Sequence, residues 1–344
     1  MLNNILDPLK TSSYEYSLPK ELIAIKPVYP PDSARLLVYN RKDNSIIHTT
    51  FKSILEYLPE NISIFLNDTK VIKARIFGFK PSGGKVELLF NKPMPNDEYL
   101  CLIRGKVHVG TTISFDDNLN AIVTSLNEDG SRLVKFYKDD KILDFLNLVE
   151  ILNNIGHLPL PPYINREDEE SDNSDYQTLF AKNYGAVAAP TASLHFTPEL
   201  FDKLKNKYDI NYLTLHVGAG TFKPVDAVDI LEHPMHSEYF EITDEVNSKL
   251  QSDRNILAVG TTVTRTIEYN ARTQKTFGEC DLFLNPANKP IKVNHLLTNF
   301  HLPKSTLIML IASFIGIEKT MELYDVAVRE KYRFFSYGDG MLII

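Results

Sequence analysis

Short stretches in which apolar and polar residues alternate dominate the chain between residues 62 and 136. Pro, Gly, Asn and Asp residues separate six of them, at 62–66, 85–90, 99–103, 112–115, 121–123 and 132–136. Such alternation is typical of β-strands that bury one face. Because six short strands in an open sheet would leave two unpaired edges, the pattern predicts a closed antiparallel β-barrel.

The rest of the chain alternates between helical and strand-like segments. Strand-like stretches occur at 211–217 and 255–259, and helical spacing of apolar residues occurs at 141–153, 199–207, 244–253, 260–274, 305–316 and 317–330. This alternation predicts an α/β fold with a larger α/β/α domain and a mainly parallel sheet. We therefore predict a discontinuous α/β domain at 1–60 and 153–344, with an inserted six-stranded β-barrel at 61–152.

Composition limits the setting in which the chain works. It is 43% hydrophobic and 24% charged, with no run of the roughly 18 apolar residues that a membrane-spanning helix needs. Its first ten residues lack the apolar core of a signal peptide, and its two cysteines have no motif around them. We therefore expect a cytoplasmic protein.

Charge is unevenly distributed along the chain. The net charge is −7, yet residues 61–108 contain eight basic and four acidic residues. One interpretation is a patch that faces phosphates, and the other is an ordinary solvated sheet face. The basic residues considered for a nucleic-acid contact are Lys70, Lys73, Arg75, Lys85 and Arg104.

A polar loop precedes the apolar helix predicted at 305–316. It contains Asn299, His301 and Ser305 around a proline. A helix start needs one capping hydroxyl, and this loop has several more hydrogen-bonding side chains than that. The loop suits either a cap or the binding of a polar ligand, and the two are compatible because helix amino ends attract anions.

Two further loops follow predicted strands. The first begins at His216 and contains Gly218, Gly220 and Thr221, and its glycines would let backbone approach a ligand closely. It lacks the third glycine of a dinucleotide fingerprint, which argues against a standard nicotinamide site. The second loop opens a helix with Thr261, Thr262 and Arg265, which suit a carboxylate or phosphate, or else a capped helix with its arginine in solvent.

Histidines and the chain's last residues supply further candidates. His195 stands among small residues that leave room for a flat ring, and Glu238 follows two histidines. A metal site would draw on His195, His216, His233, His236 and His301, but no paired spacing supports one. The last 14 residues are rich in aromatics and include Arg333 and Asp339, which we expect to pack on the core, with Asp339 in a cleft.

The sequence resembles the S-adenosylmethionine:tRNA ribosyltransferase-isomerases of queuosine biosynthesis. The resemblance extends from about residue 16 to residue 344, and its motifs lie in matching order at 67–75, 188–197, 216–225, 236–238, 260–268, 298–306 and 332–342. Five positions depart from the family pattern, among them Lys223 in place of an arginine and Gly340 in place of an alanine. Asp175 stands where a basic residue is usual, Ser193 replaces a glycine, and no aromatic residue stands near Asn288.

The resemblance implies an unusual use of S-adenosylmethionine as a ribosyl donor. The ribosyl part would move to the aminomethyl nitrogen of 7-aminomethyl-7-deazaguanine in a tRNA anticodon, and adenine and methionine would leave, giving epoxyqueuosine-tRNA. The resemblance also implies no metal and a monomer with a small barrel inserted in an α/β domain. The alternatives are a non-catalytic tRNA-binding module and a metal-dependent hydrolase.

The same resemblance suggests roles for the candidate residues. A positioned base would remove a proton from the carbon beside the sulfonium, and a histidine would protonate the departing adenine. The candidates for these steps are His301, Asp339, His216 and His195. The residues expected to bind S-adenosylmethionine are Gly218, Gly220, Thr221, Glu238, Thr261, Thr262, Arg265, Asn299, Ser305 and Arg333. The basic patch would meet the tRNA.

Overall fold

The structure is a computed structural model that describes residues 6–222 and 225–344, with the backbone alone at 221 and 222. The strands within that part are β1 (Arg35–Asn40), β2 (Ser45–Thr50), β3 (Ile62–Asn67), β4 (Thr69–Val71), β5 (Arg75–Phe79), β6 (Lys85–Met94), β7 (Glu98–Arg104), β8 (Thr112–Ser114), β9 (Asn120–Leu126), β10 (Arg132–Lys138), β11 (Lys141–Ile142), β12 (Asn183–Ala186), β13 (Asp209–Leu215), β14 (Glu238–Glu241), β15 (Asn255–Val259), β16 (Phe277–Cys280), β17 (His295–Asn299) and β18 (Gly340–Ile343).

The α-helices lie mostly in the second half of the chain. They are α1 (Phe145–Ile155), α2 (Asp172–Asp175), α3 (Pro198–Lys207), α4 (Asp244–Leu250), α5 (Thr261–Thr273), α6 (Thr306–Ile315) and α7 (Ile317–Arg329). Short 3-10 helices occur at Thr11–Tyr14, Lys20–Leu22, Pro31–Ser33, Phe51–Glu56, Pro162–Ile164, Thr191–Ser193, Ala219–Phe222 and Ile230–Glu232. Among the described residues, no helix has both the length and the apolar character that crossing a membrane would require.

A nine-stranded sheet forms the larger layer, in the order β16-β14-β13-β3-β15-β17-β18-β1-β2. Strands β13, β3, β15 and β17 run parallel to one another at its centre, whereas the strands toward both edges pair mostly antiparallel. Helices α4 to α7 pack on one face of the sheet and α3 packs on the other. The α/β prediction is confirmed, and the sheet is more mixed than expected.

The barrel consists of β5 to β10. It closes because β10 pairs with β9 as well as with β7, and the hairpin strand β11 pairs on the outside with β10. Helix α1 covers one end, since its buried Leu148, Val149 and Leu152 belong to the same apolar core as the barrel interior. Closure removes the unpaired edges that six short strands would otherwise expose. The predicted inserted β-barrel is confirmed.

One strand assignment was wrong. The stretch 62–66, expected in the barrel, is β3 in the middle of the large sheet, and the sixth barrel strand is β5. Ser63 made β3 look alternating, but the residue is buried and its hydroxyl donates to Asp209 at 3.1 Å. Strand β5 was not recognised because its exposed positions are the apolar residues Phe77 and Phe79, so apolar and polar residues do not alternate along it. The domain division stays a prediction, and we propose that the inserted unit covers 72–155.

Asn67 joins the ends of three elements. Its Nδ2 donates to the Leu215 carbonyl at 2.9 Å and lies 3.3 Å from Thr262 Oγ1, and its Oδ1 accepts from the backbone N–H groups of Thr69 and Leu215, both at 3.1 Å. The side chain is fully buried. It therefore fixes the end of β13 and the start of α5 relative to β3.

We expect Asn67→Ala to lower the free energy of unfolding by about 3 kcal/mol, because it leaves buried backbone groups without partners. Chemical denaturation followed by circular dichroism measures the change. Asn206→Ala, at an exposed position of α3, is the matched control and should change stability by less than about 0.5 kcal/mol. Equal effects of the two variants would contradict the structural role of Asn67.

Candidate active site

A cavity of about 80 Å³, here called the central cavity, lies at the carboxyl ends of β13, β15 and β17. Ligands of open α/β sheets bind at this edge. The predicted residues that line it are Thr261, Thr262, Asn299, His301 and Ser305. Its other walls are Tyr163, Ala188, Ala189, Pro190, Thr191, Ala192, Val217, Gly260, Thr298, Leu302, Leu307, Phe335 and Ser336. The cavity is thus mostly apolar, with a few polar groups.

Two helices begin at the central cavity. Helix α5 starts at Thr261, directly after Gly260, whose φ of 99° few other residues tolerate. Helix α6 starts after Ser305, whose hydroxyl accepts from the Ile308 N–H at 3.4 Å. Backbone N–H groups and the helix dipole make such ends favourable for a carboxylate or phosphate.

His301 is held neutral at the cavity wall. Its Nε2 lies 2.9 Å from the Thr298 hydroxyl, and its backbone N–H donates to Tyr324 at 3.0 Å. Burial lowers the pKa of the imidazole from 6.5 to about 3. His301 therefore carries no charge near neutral pH and has a lone pair for accepting a proton.

His195 lies on the far side of Asn299. The Asn299 Nδ2 is 3.3 Å from His195 Nε2, and its Oδ1 accepts from Thr191 at 2.9 Å. Burial first, and then the positive charge of Arg333, lower the pKa of His195 to about 4. His195 lines a second small cavity, of about 90 Å³, which shares Ser336 with the central cavity.

His216 stands one residue before the central cavity. Its Nδ1 lies 2.8 Å from Thr69 Oγ1, its ring stacks on Tyr239 at 5.9 Å, and burial lowers its pKa to about 4. Gly185 covers the ring, and a Cβ there would lie 2.7 Å from it at a φ of 152°. These contacts give His216 the surroundings of a positioning residue. We expected a histidine that titrates near neutral pH to protonate adenine. The pKa values of His301, His195 and His216 all lie well below 7, so all three imidazoles are neutral and none of them fits that expectation.

Arg265 and Glu238 form a buried ion pair beside the glycine loop. The guanidinium also donates to the carbonyls of Leu282 at 3.0 Å and Cys280 at 3.1 Å, and the other Glu238 oxygen accepts from the Gly218 N–H at 3.0 Å. Both side chains line a third cavity, of about 180 Å³, with Gly218 and Gly220. The charge of Arg265 is thus offset within the protein, so it does not face a ligand carboxylate beside Thr261 as expected. The side chain of Thr221 lies outside the described residues.

Asp339 anchors backbone instead of facing a cleft. Its two oxygens accept from the N–H groups of Arg35 at 2.8 Å and Arg333 at 2.7 Å, and the side chain is 1% exposed. Burial raises its pKa although both hydrogen bonds lower it. The guanidinium of Arg333 donates to the Lys26 carbonyl, and its Nη1 is buried without a hydrogen-bond partner in the part of the chain that the structure describes. Among the described residues Arg333 lines none of the three cavities, so its contact with S-adenosylmethionine stays a prediction.

The predicted basic residues lie on or beside the barrel. Lys70 covers the Tyr184 ring at 4.6 Å, and Arg104 has an 84% exposed side chain. Arg75 is paired with Glu87 at 2.9 Å and Glu167 at 2.7 Å, so its charge is largely offset. Lys73 is half-buried and Lys85 is exposed. Arg75 and Arg104 border a cleft of about 860 Å³ between the barrel and residues 159–167.

Tyr163 and Ser336 are site residues that the sequence did not suggest. Ser336 N–H donates to the Tyr163 hydroxyl at 3.0 Å, and burial raises the pKa of Tyr163 to about 12. Tyr163 follows a run of prolines, which read only as a break between elements. The one feature of the sequence that could have indicated Ser336 is the aromatic segment around it, which we expect to pack on the core.

Two of the residues that depart from the family pattern, Asp175 and Ser193, lie near the site, and Asn288 lies away from it. Asp175 accepts from the Tyr29 hydroxyl and lines the second cavity with Ser193. Asn288 donates to the Phe283 carbonyl at 2.9 Å in a distant turn. Across the described residues, no three His, Cys, Asp or Glu side chains are arranged to hold a metal ion.

The depressed pKa of His301 makes stability depend on pH. The unfolded chain binds more protons than the folded one between pH 6.5 and about 3. The stabilising contribution is therefore complete above pH 6.5 and is lost as pH falls toward 3. Denaturation between pH 7 and 5 should show a slope smaller by about 1 kcal/mol per pH unit in His301→Gln than in the wild type. The control is His108→Gln, at an exposed barrel loop, which should leave the change of unfolding free energy with pH as in the wild type. A wild-type slope in His301→Gln would contradict the burial argument.

Comparisons with known proteins identify the family to which the chain belongs. A family model described as "Queuosine biosynthesis protein" matches residues 11–343. The S-adenosylmethionine:tRNA ribosyltransferase-isomerase of Aliarcobacter butzleri is 72% identical over 99% of this chain and 100% of its own length, and that of a Nitratiruptor species is 59% identical over the same shares.

A solved structure is similar as well. The crystal structure of S-adenosylmethionine tRNA ribosyltransferase from Thermotoga maritima matches with a TM-score of 0.54 and 34% identity, covering 96% of this chain and 100% of that one. A family match over nearly the whole chain, with relatives of this identity, shows that the chain belongs to the S-adenosylmethionine:tRNA ribosyltransferase-isomerases of queuosine biosynthesis.

Proposed function

We propose that the chain transfers the ribosyl part of S-adenosylmethionine to 7-aminomethyl-7-deazaguanine in a tRNA anticodon and isomerises it. The products are epoxyqueuosine-tRNA, adenine and methionine. The observation that carries the proposal, beside the family membership, is the convergence of His301, Asn299 and the amino ends of α5 and α6 on one cavity. Because the substrate is a tRNA, we propose that the enzyme works in the cytoplasm, and that it acts as a monomer.

The central cavity suits the reacting part of S-adenosylmethionine. Its apolar wall matches a nucleoside, and the amino ends of the two helices match the methionyl carboxylate. A neutral His301 does not repel the sulfonium, as an imidazolium would. In this proposal Thr261, Thr262 and Ser305 hold the carboxylate, while Arg265 fixes the glycine loop through Glu238.

His301 is the proposed base. It would accept a proton from the carbon next to the sulfonium, whose positive charge acidifies that position. The resulting imidazolium is a strong acid because its pKa is low, so it would give up the proton readily to the departing adenine. His195, which also lies beside Asn299, is the second candidate for this last step.

Release of labelled adenine from S-adenosylmethionine tests the proposal. We expect release that depends on tRNA carrying the aminomethyl base, and a kcat at least 100-fold lower in His301→Gln. His48→Gln, at an exposed position of the edge strand β2, should leave kcat unchanged. Binding of tRNA without adenine release would favour the non-catalytic module, and loss of activity with a chelator would favour the metal-dependent alternative.

The basic patch makes a separate prediction. If Lys73 meets a phosphate, Lys73→Ala should reduce the slope of log affinity against log salt by about 0.7 to 0.9, since one fewer counterion is released on binding. Filter binding of the tRNA over a salt series measures the slope. Lys203→Ala, at an exposed position of α3, is the charge-matched control and should change nothing. Identical slopes for both variants would remove Lys73 from the interface.

A further inference from the structure

Two exposed aromatic rings stand side by side on the outer face of β5. Phe77 is 45% exposed and Phe79 is 52% exposed. Antiparallel pairing places Phe77 opposite Glu87, and Phe79 opposite Lys85, on the neighbouring strand β6. Large exposed apolar groups are common singly, but a contiguous pair on one sheet face indicates a contact surface.

The inward residue between the two rings explains why both point outward. A Cβ on Gly78 would lie 2.6 Å from the Phe115 ring and 2.7 Å from the Ser114 carbonyl oxygen. Glycine therefore lets β5 press against β8, and the strand's alternation then directs both neighbours to the outside. Phe77 contacts the His157 ring edge-on at 5.5 Å, and neither Phe77 nor Phe79 belongs to the barrel core.

Basic side chains surround the two rings. The Arg75 guanidinium lies 4.8 Å from the Phe77 ring, and Lys85 Nζ lies 6.0 Å from the Phe79 ring. Residues 75–106 contain six basic and three acidic residues. Arg75 is offset by Glu87 and Glu167, and Arg104 also lies 3.4 Å from Glu87, whereas Lys85 is exposed at this face. The face therefore complements a polyanion.

The two rings lie next to the cleft beside the barrel. Phe77, Phe79 and Glu87 line a shallow groove on the barrel, and Glu87 also lines the cleft of about 860 Å³. That cleft reaches Val187, which is adjacent in sequence to the cavity residue Ala188. The groove and the cleft thus share Glu87, and the cleft and the cavity are lined by residues that are neighbours in the chain.

We propose that Phe77 and Phe79 form a stacking platform for unpaired bases of the tRNA loop whose wobble base enters the cavity. The proposal rests on the proposed function, and it adds the barrel contact that holds the loop. Aromatic rings beside cations are the usual means by which proteins hold single-stranded RNA, because every base has a face that stacks. A protein or a second copy of this chain would not need the positive surround.

Binding of the anticodon stem-loop tests the platform. Phe77→Ala and Phe79→Ala should each weaken binding roughly 5- to 100-fold. The slope of log affinity against log salt should stay unchanged, because no charge is lost. Replacement by Tyr should restore affinity, and replacement by Leu should not, since leucine keeps the apolar area but has no ring. In turnover, the KM for tRNA should rise while kcat and the KM for S-adenosylmethionine stay within about two-fold of wild type.

The control is Ile142→Ala. Ile142 is 56% exposed on β11, which pairs with β10 on the side of the barrel opposite β5, so its loss should not affect tRNA binding. Unchanged affinity in the Phe77 and Phe79 variants, or a change only in self-association measured by light scattering, would overturn the platform. Absence of adenine release by the wild type would overturn the proposed function instead, and the binding measurements would still decide on the platform.

Discussion

Where β3 leaves the sheet, the side chain of Asn67 continues the hydrogen-bond ladder that backbone can no longer form. β3 and β13 pair as far as Asn67 and Leu213, and the Asn67 amide then binds both the N–H and the carbonyl of Leu215. A buried amide that is fully bonded holds its partners in one geometry, and a partly bonded one is costly. β3 can therefore turn toward the barrel while β13 continues to the glycine loop, so barrel and cavity share one fixed junction.

The same junction determines the electrostatics of the site. The Asn67 amide also reaches Thr262 in the first turn of α5, so it helps to aim the amino end of that helix at the cavity. The apolar walls of the central cavity also exclude water from His301, and this desolvation is the sole cause that lowers its pKa. Anion-binding helix ends and a neutral imidazole thus follow from one arrangement of strands.

Much of the fold could be predicted from the sequence because its signals are local. Strand β15 and helices α3, α6 and α7 begin and end within about two residues of their predicted bounds, since periodicity and capping residues depend on near neighbours. β3 was misplaced because a buried Ser63 looks the same in sequence as an exposed one. Contacts between residues far apart in the sequence could not be predicted either. No local pattern shows that Glu238 pairs with Arg265, or that the Asp339 carboxylate accepts hydrogen bonds from two backbone N–H groups.

The low pKa of His301 constrains how a proton can pass through the site. An imidazole with a pKa of about 3 is a weak base, and a bound sulfonium would lower its affinity for a proton further. It can take a proton only from a carbon that the sulfonium has already made acidic, and it cannot keep it. Because one group that acts first as base and then as acid works best with a pKa near the working pH, a pKa this low favours the later donation to adenine and disfavours the earlier acceptance from carbon.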